Sequence, residues 1–89
     1  MRAALLEQCL CHELAQARIA CARQVAIPVI HKDVPIGDGF KADIVVAREL
    51  ILEIKAVAAI LPVHEVQLRT YLRMSGIRIG LLLNSTRRA

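Results

Sequence analysis

Leu52-Glu53-Ile54-Lys55-Ala56 is the segment that decides the fold of this chain. Leu52, Ile54 and Ala56 alternate with Glu53 and Lys55, the period-two pattern of a strand with one apolar and one polar face. By itself that pattern describes the wet side of any half-buried strand. The preceding run changes its meaning. Phe40 to Val46 is also apolar and β-rich, and Ala47-Arg48-Glu49 separates it from Leu50 to Val57, so the two runs read as a hairpin. A three-residue connection centred on Arg48 sets Asp43 directly across from Glu53, and Lys41 across from Lys55 on the same face. A two-residue turn would throw Asp43 to the opposite face.

Two carboxylates directly opposite one another repel and weaken a hairpin unless a cation intervenes. A divalent ion is one remedy. Mg²⁺ takes oxygen ligands, keeps several waters and needs only one or two protein carboxylates, and the backbone carbonyl of Ile54 could complete the set. A cation there would polarise a phosphodiester and make bound water more acidic. Lys55 would orient that water or stabilise charge on the phosphate oxygens. The other remedy is structural: Lys41 and Lys55 neutralise the two acids and no ion is needed. Both stay open on pattern alone.

Outward from the hairpin, Pro62 opens a helix, since proline suits a first turn, and Gly76 caps it after Ser75. Glu65 and Arg69 on it have the favourable spacing for an ion pair. Ile77 to Leu83 makes a last strand. On the N-terminal side, residues 3–20 lack Gly and Pro and are rich in helix formers, with Leu6, Leu10, Leu14 and Ala17 as the buried stripe. Val25, Ile27, Val29 and Ile30 suggest a strand whose Pro28 belongs at a sheet edge. Asp33, Pro35, Gly37, Asp38 and Gly39 are dense turn chemistry. The order is α-β-β-β-α-β: one α/β domain over residues 1–89, a three-stranded antiparallel meander with a final strand after the second helix.

Composition narrows the function classes. Hydrophobic residues make up 56% of the 89 and mean hydropathy is +0.49, so core material is plentiful. Aromatics are only 2%, which argues against a base-stacking single-strand binder. Twelve Lys and Arg against eight Asp and Glu permit a polyanionic partner. No stretch is long and apolar enough to span a bilayer, and Glu7 and Glu13 break the N-terminal run that could pass for an export signal. Cys9, Cys11 and Cys21 are odd in number and lack Cys-x-x-Cys spacing, so they read as small buried thiols in a cytoplasmic protein.

Asp43 followed by Glu53-x-Lys55 on the next strand resembles the PD-(D/E)xK nuclease superfamily, and Gln67-x-x-x-Tyr71 resembles the Q-x-x-x-Y element of its RecB-like branch. Gly39-Phe40-Lys41-Ala42-Asp43, Leu52 to Val57, Val63-His64-Glu65-x-Gln67-Leu68-x-x-Tyr71-Leu72 and Gly76 to Asn84 look more narrowly like the GxxExxY protein family. The resemblance implies a restriction-endonuclease-like core that binds Mg²⁺ or Mn²⁺ and hydrolyses nucleic-acid phosphodiesters, DNA being the expected substrate. It implies Asp43 and Glu53 as metal ligands, Lys55 as the catalytic lysine, and Gln67 and Tyr71 facing the same site. Without it, Gln67 and Tyr71 are one face of an amphipathic helix, and His64 is assigned to packing at the helix start.

The first helix departs from the family pattern. The expected Tyr falls on Leu6 and the expected Glu on Ala3. Glu7, one turn on, is displaced by about 5–6 Å along the axis, more than metal geometry tolerates. The chain thus reads as a member shortened at both ends, as one whose start is assigned too late, or as a decayed gene, and marginal stability or self-association is expected of it. Two functions follow: a metal-dependent nuclease beside a basic surface that includes Arg69, Arg73 and Arg78, or a catalytically inactive nucleic-acid-binding or protein-interaction module that keeps the fold.

Overall fold

The computed structural model describes residues 3–28, 30–31, 34–35 and 40–86. Helix α1 (Ala3–Gln16) stops short of residue 20. Arg18 takes a φ of 62°, its N–H donates to the Ala15 carbonyl at 3.0 Å, and the Ile19 N–H donates to the Leu14 carbonyl at 2.8 Å. Those two bonds close a helix through a left-handed residue, a place usually held by glycine. Leu6, Leu10 and Leu14 are half-buried as the stripe requires, and Ala17 is exposed beyond the helix end.

Strand β1 (Cys21–Ile27) begins four residues before Val25 and ends just before Pro28. It lies at one edge of the sheet, where a following proline disturbs no ladder. The short strands β2 (Ile30–His31) and β3 (Val34–Pro35) form a separate antiparallel pair, so Ile30, expected in the first strand, and Pro35, expected in a turn, pair with each other instead. Val29 and the turn residues Asp33, Gly37, Asp38 and Gly39 fall outside the described residues.

Strands β4 (Phe40–Val46) and β5 (Leu50–Lys55) make the hairpin. Ala47 and Arg48 both take positive φ, 52° and 59°, and the Glu49 N–H closes the turn on the Val46 carbonyl at 2.9 Å. The register is the expected one: Val46 pairs with Leu50, Val45 with Ile51 and Ile44 with Leu52. Helix α2 (Pro62–Ser75) has the expected bounds and ends on Gly76 with φ 78°. Strand β6 (Ile79–Asn84) then pairs parallel to β5. The sheet order is β1-β4-β5-β6, with β1, β4 and β5 antiparallel, so the expected meander with a final strand after the second helix holds, and the parallel direction of that strand is added by the structure.

Ile27, Ala42, Val45 and Ile51 pack with Leu68 and Tyr71 of α2, and Val25, Leu72, Met74, Ile77 and Leu82 border them. Each fully buried aliphatic side chain here contributes about 1.5–3 kcal/mol. Gly80 lets α2 approach β6: a Cβ there would lie 2.9 Å from the Leu68 side chain. Helix α1 is fastened differently. Cys11 and Cys21 form a disulfide with Cα atoms 5.6 Å apart, and Cys9 is free and exposed. This corrects the expectation of three buried thiols. The turn at Arg18 folds β1 back along α1, and a bridge across such a turn needs no Cys-x-x-Cys spacing. Among the described residues, no helix is long and apolar enough to cross a membrane.

Candidate functional site

The β4–β5 ladder ends at Ile44 and Leu52, and at the next level side chains take over from the backbone. Asp43 Oδ2 accepts a hydrogen bond from the Ile54 N–H at 2.7 Å, while Glu53 Oε1 accepts one from the Asp43 N–H at 3.4 Å. The other side of β4 has a matching gap. Arg23 pairs with Ile44 and Val25 with Ala42, but Gln24 between them leaves the ladder with a φ of 51°. Asp43 thus sits where both neighbouring ladders are interrupted.

Glu53 is buried at 2% exposure. Burial, then the hydrogen bond and negative charge of Asp43, push its carboxyl up to about 8, against the opposing pull of Lys55. The protonated form of Glu53 is thereby favoured over what an ordinary glutamate would hold. Proton uptake by Glu53 is the direction in which the repulsion expected of facing carboxylates acts.

Ile51, Glu53 and Lys55 share the face of β5 turned toward α2. Lys55 Nζ donates to Gln67 Oε1 at 2.8 Å, and Gln67 Nε2 donates to the Tyr71 hydroxyl at 2.9 Å. Tyr71 is buried, which raises its pKa; the charge of Glu53 adds to the rise, and the Gln67 hydrogen bond works against it. Five side chains singled out in the sequence are therefore brought into one neighbourhood: Asp43, Glu53, Lys55, Gln67 and Tyr71. Lys41 is exposed.

His64 Nδ1 accepts the Leu61 N–H at 2.9 Å at the start of α2, so its helix-start role holds. It also lines an open groove of about 390 Å³ beside Gln67 and Tyr71, with Val63, Val66 and Thr70. Arg69, Arg73 and Arg78 are exposed. Glu7 is buried and engaged elsewhere: Oε1 accepts from Gln24 Nε2 at 2.8 Å and lies 3.4 Å from Arg23 Nε. Among the described residues, no group of three or more His, Cys, Asp or Glu that could hold a metal is formed.

One element of the site escaped the pattern reading. Asn84 accepts the Val57 N–H at 3.2 Å and donates to the Val57 carbonyl at 2.7 Å, so its amide stands in for a strand neighbour. Ser85 adds two donors to the Lys55 carbonyl, its N–H at 2.7 Å and its hydroxyl at 3.2 Å. The chain leaving β5 after Lys55 is thereby clamped. An amide residue ending an apolar strand was the available signal.

A helix, three antiparallel strands, a second helix and a parallel strand, with two acids and a lysine at the central hairpin, define a restriction-endonuclease-like α/β domain. The chain belongs to the PD-(D/E)XK nuclease superfamily, whose family model matches residues 2–89. No curated protein and no solved structure matches it.

Proposed function

We propose that this domain is a divalent-metal-dependent nuclease that hydrolyses phosphodiester bonds in DNA, and that it falls in the GxxExxY family of the RecB-like branch. The observation that carries this reading is the meeting of Asp43 and Glu53 at a gap in the sheet, with the Lys55 amine on the same strand as Glu53. The donor set suits a hard cation such as Mg²⁺ or Mn²⁺. Asp43 Oδ2 and Glu53 Oε1 are occupied by backbone amides, which leaves one oxygen of each carboxylate for an ion. The Ile54 carbonyl lies on the same edge of β5 as the N–H that meets Asp43. A cation held by these three groups supplies Lewis acidity to a phosphodiester.

The chain's own residues do the rest. Lys55 carries a positive charge beside the acids and donates toward phosphate oxygens or an attacking water. Gln67 fixes the direction of that amine by accepting from Nζ, and Tyr71 fixes Gln67 in turn. Glu53 would have to be ionised to hold a cation, so its raised carboxyl would couple uptake to pH. Exposed Arg69, Arg73 and Arg78 supply attraction for the phosphate backbone. The proposed setting is the cytoplasm, a reading against which the Cys11–Cys21 bond counts, since such bonds persist in oxidising compartments.

The test is cleavage of linear and circular DNA with Mg²⁺ or Mn²⁺ by the wild type and by Glu53→Ala. Metal-dependent cutting by the wild type alone supports the proposal, and equal cutting by both proteins refutes it. A second reading is a binding module without turnover. It is favoured by the commitment of Glu7, the buried acid of the first helix, to Gln24 and Arg23 rather than to Asp43 and Glu53. That reading predicts salt-sensitive DNA binding with no cleavage.

A further inference from the structure

Strand β6 ends the sheet, and among the described residues no strand pairs with its outer edge. The Ser85 N–H donates to the Lys55 carbonyl. Alternation along the strand then turns the backbone groups of Leu81 and Leu83 toward β5, and those of Gly80 and Leu82 outward. Ile79 to Asn84 carries none of the usual blocks to pairing: no proline and no charged side chain. Ile79, Leu81 and Leu83 are 58%, 53% and 39% exposed on the face turned away from α2.

We propose that this edge is an interface with a second copy of the chain, β6 pairing antiparallel with β6 about a two-fold axis through Leu81. In that register the outward N–H and C=O of Gly80 meet those of the second copy's Leu82, and the reverse, which is the hydrogen-bonded pair of an antiparallel ladder. The apolar face closes on itself at the same register: Leu81 lies against its own equivalent, and Ile79 lies against the second copy's Leu83. The charges agree as well. Glu65 and Arg69, both exposed, line the groove that α2 makes with Gly80, Leu81 and Leu82. In the proposed dimer Glu65 of each copy faces Arg69 of the other, because the two lie one turn apart on the helix beside this edge. Backbone, apolar surface and charge are thus self-complementary about one axis, as a closed two-fold interface requires. The seam takes Arg69 out of the proposed phosphate-attracting surface, leaving Arg73 and Arg78 to it, and otherwise does not depend on the nuclease reading.

The experiment is sedimentation of the full chain across a concentration series, with charge variants and cysteine cross-linking in a Cys9→Ser background. The wild type is expected to reach a dimer and stop there. Glu65→Arg faces Arg69 of the second copy and weakens the dimer about tenfold; Glu65→Arg with Arg69→Glu restores it. Leu81→Cys alone cross-links, because equivalent residues of a non-hydrogen-bonded antiparallel pair lie within disulfide reach. Ile79→Cys alone does not cross-link, and Ile79→Cys with Leu83→Cys does. Leu81 is half exposed, so its substitution leaves the monomer folded. A monomer at every concentration, an open-ended series of larger species, or a dimer in which Leu81→Cys fails to cross-link each overturns the proposal.

Discussion

Asp43 Oδ2 receives the Ile54 amide at 2.7 Å at the level where backbone pairing between β4 and β5 has stopped. A carboxylate has taken the place of a ladder carbonyl. That exchange keeps the Ile54 N–H satisfied while the strands part, and it holds Asp43 against Glu53 without the aid of an ion. The two acids are pre-positioned, and their proximity together with burial raises the Glu53 carboxyl.

The stability of the metal-free fold depends on pH through Glu53. Its carboxyl titrates near 8 when folded and near 4.5 as an ordinary glutamate. A raised acid favours the fold fully below its unfolded value, and the advantage is lost as pH climbs toward the folded one. Stability therefore declines between about pH 4.5 and 8 and levels off above. Glu53→Gln flattens that slope. Denaturant unfolding in a chelator at several pH values measures both proteins.

Lys55→Met removes the amine and keeps the aliphatic stem. If Lys55 stabilises charge as the phosphodiester opens, kcat falls roughly 10²–10³-fold with little change in KM. Loss of the positive charge also lets the Glu53 carboxyl rise further, so metal affinity drops at neutral pH and recovers in alkaline buffer. Steady-state cleavage and metal titration at two pH values separate the two effects.

Gln67 and Tyr71 are predicted to differ in what they contribute. Gln67→Ala frees the Lys55 amine and lowers kcat about tenfold, as expected of a positioning group. Tyr71→Phe leaves Lys55 held but removes the acceptor for Gln67 Nε2, costing about 1 kcal/mol of stability with a smaller effect on turnover. Thermal melts alongside kinetics distinguish them.

The Cys11–Cys21 bond closes a loop with a sequence separation of 10. On the chain-entropy account such a crosslink is worth about 2–3 kcal/mol. Reduction, or Cys11→Ser with Cys21→Ser, should lower the melting temperature by several degrees while metal affinity at Asp43 and Glu53 is retained. An unchanged melting temperature would show that the bond does not form in solution.

The hairpin register and α2 were legible because local chemistry determines them. An odd connection between β4 and β5 settles which face Asp43 takes, and Pro62 and Gly76 bound α2 by their own backbone constraints. Helix α1 was overextended because Arg18, not a glycine, supplies the left-handed cap. The gap at Gln24 was hidden for a different reason. Its backbone leaves the ladder as its side chain joins Glu7, a residue distant in sequence. The disulfide and the raised Glu53 carboxyl are likewise products of tertiary proximity and burial, which spacing does not encode.

The most direct test of the acid pair is calorimetric titration of Mn²⁺ into the wild type, Asp43→Asn and Glu53→Gln, in two buffers of different ionisation heat near pH 7. The expected result is one site per wild-type chain, with close to one proton released on binding and at least tenfold weaker binding in either variant. Uptake that is equal in all three proteins, or that releases no proton, would contradict a cation held between Asp43 and Glu53.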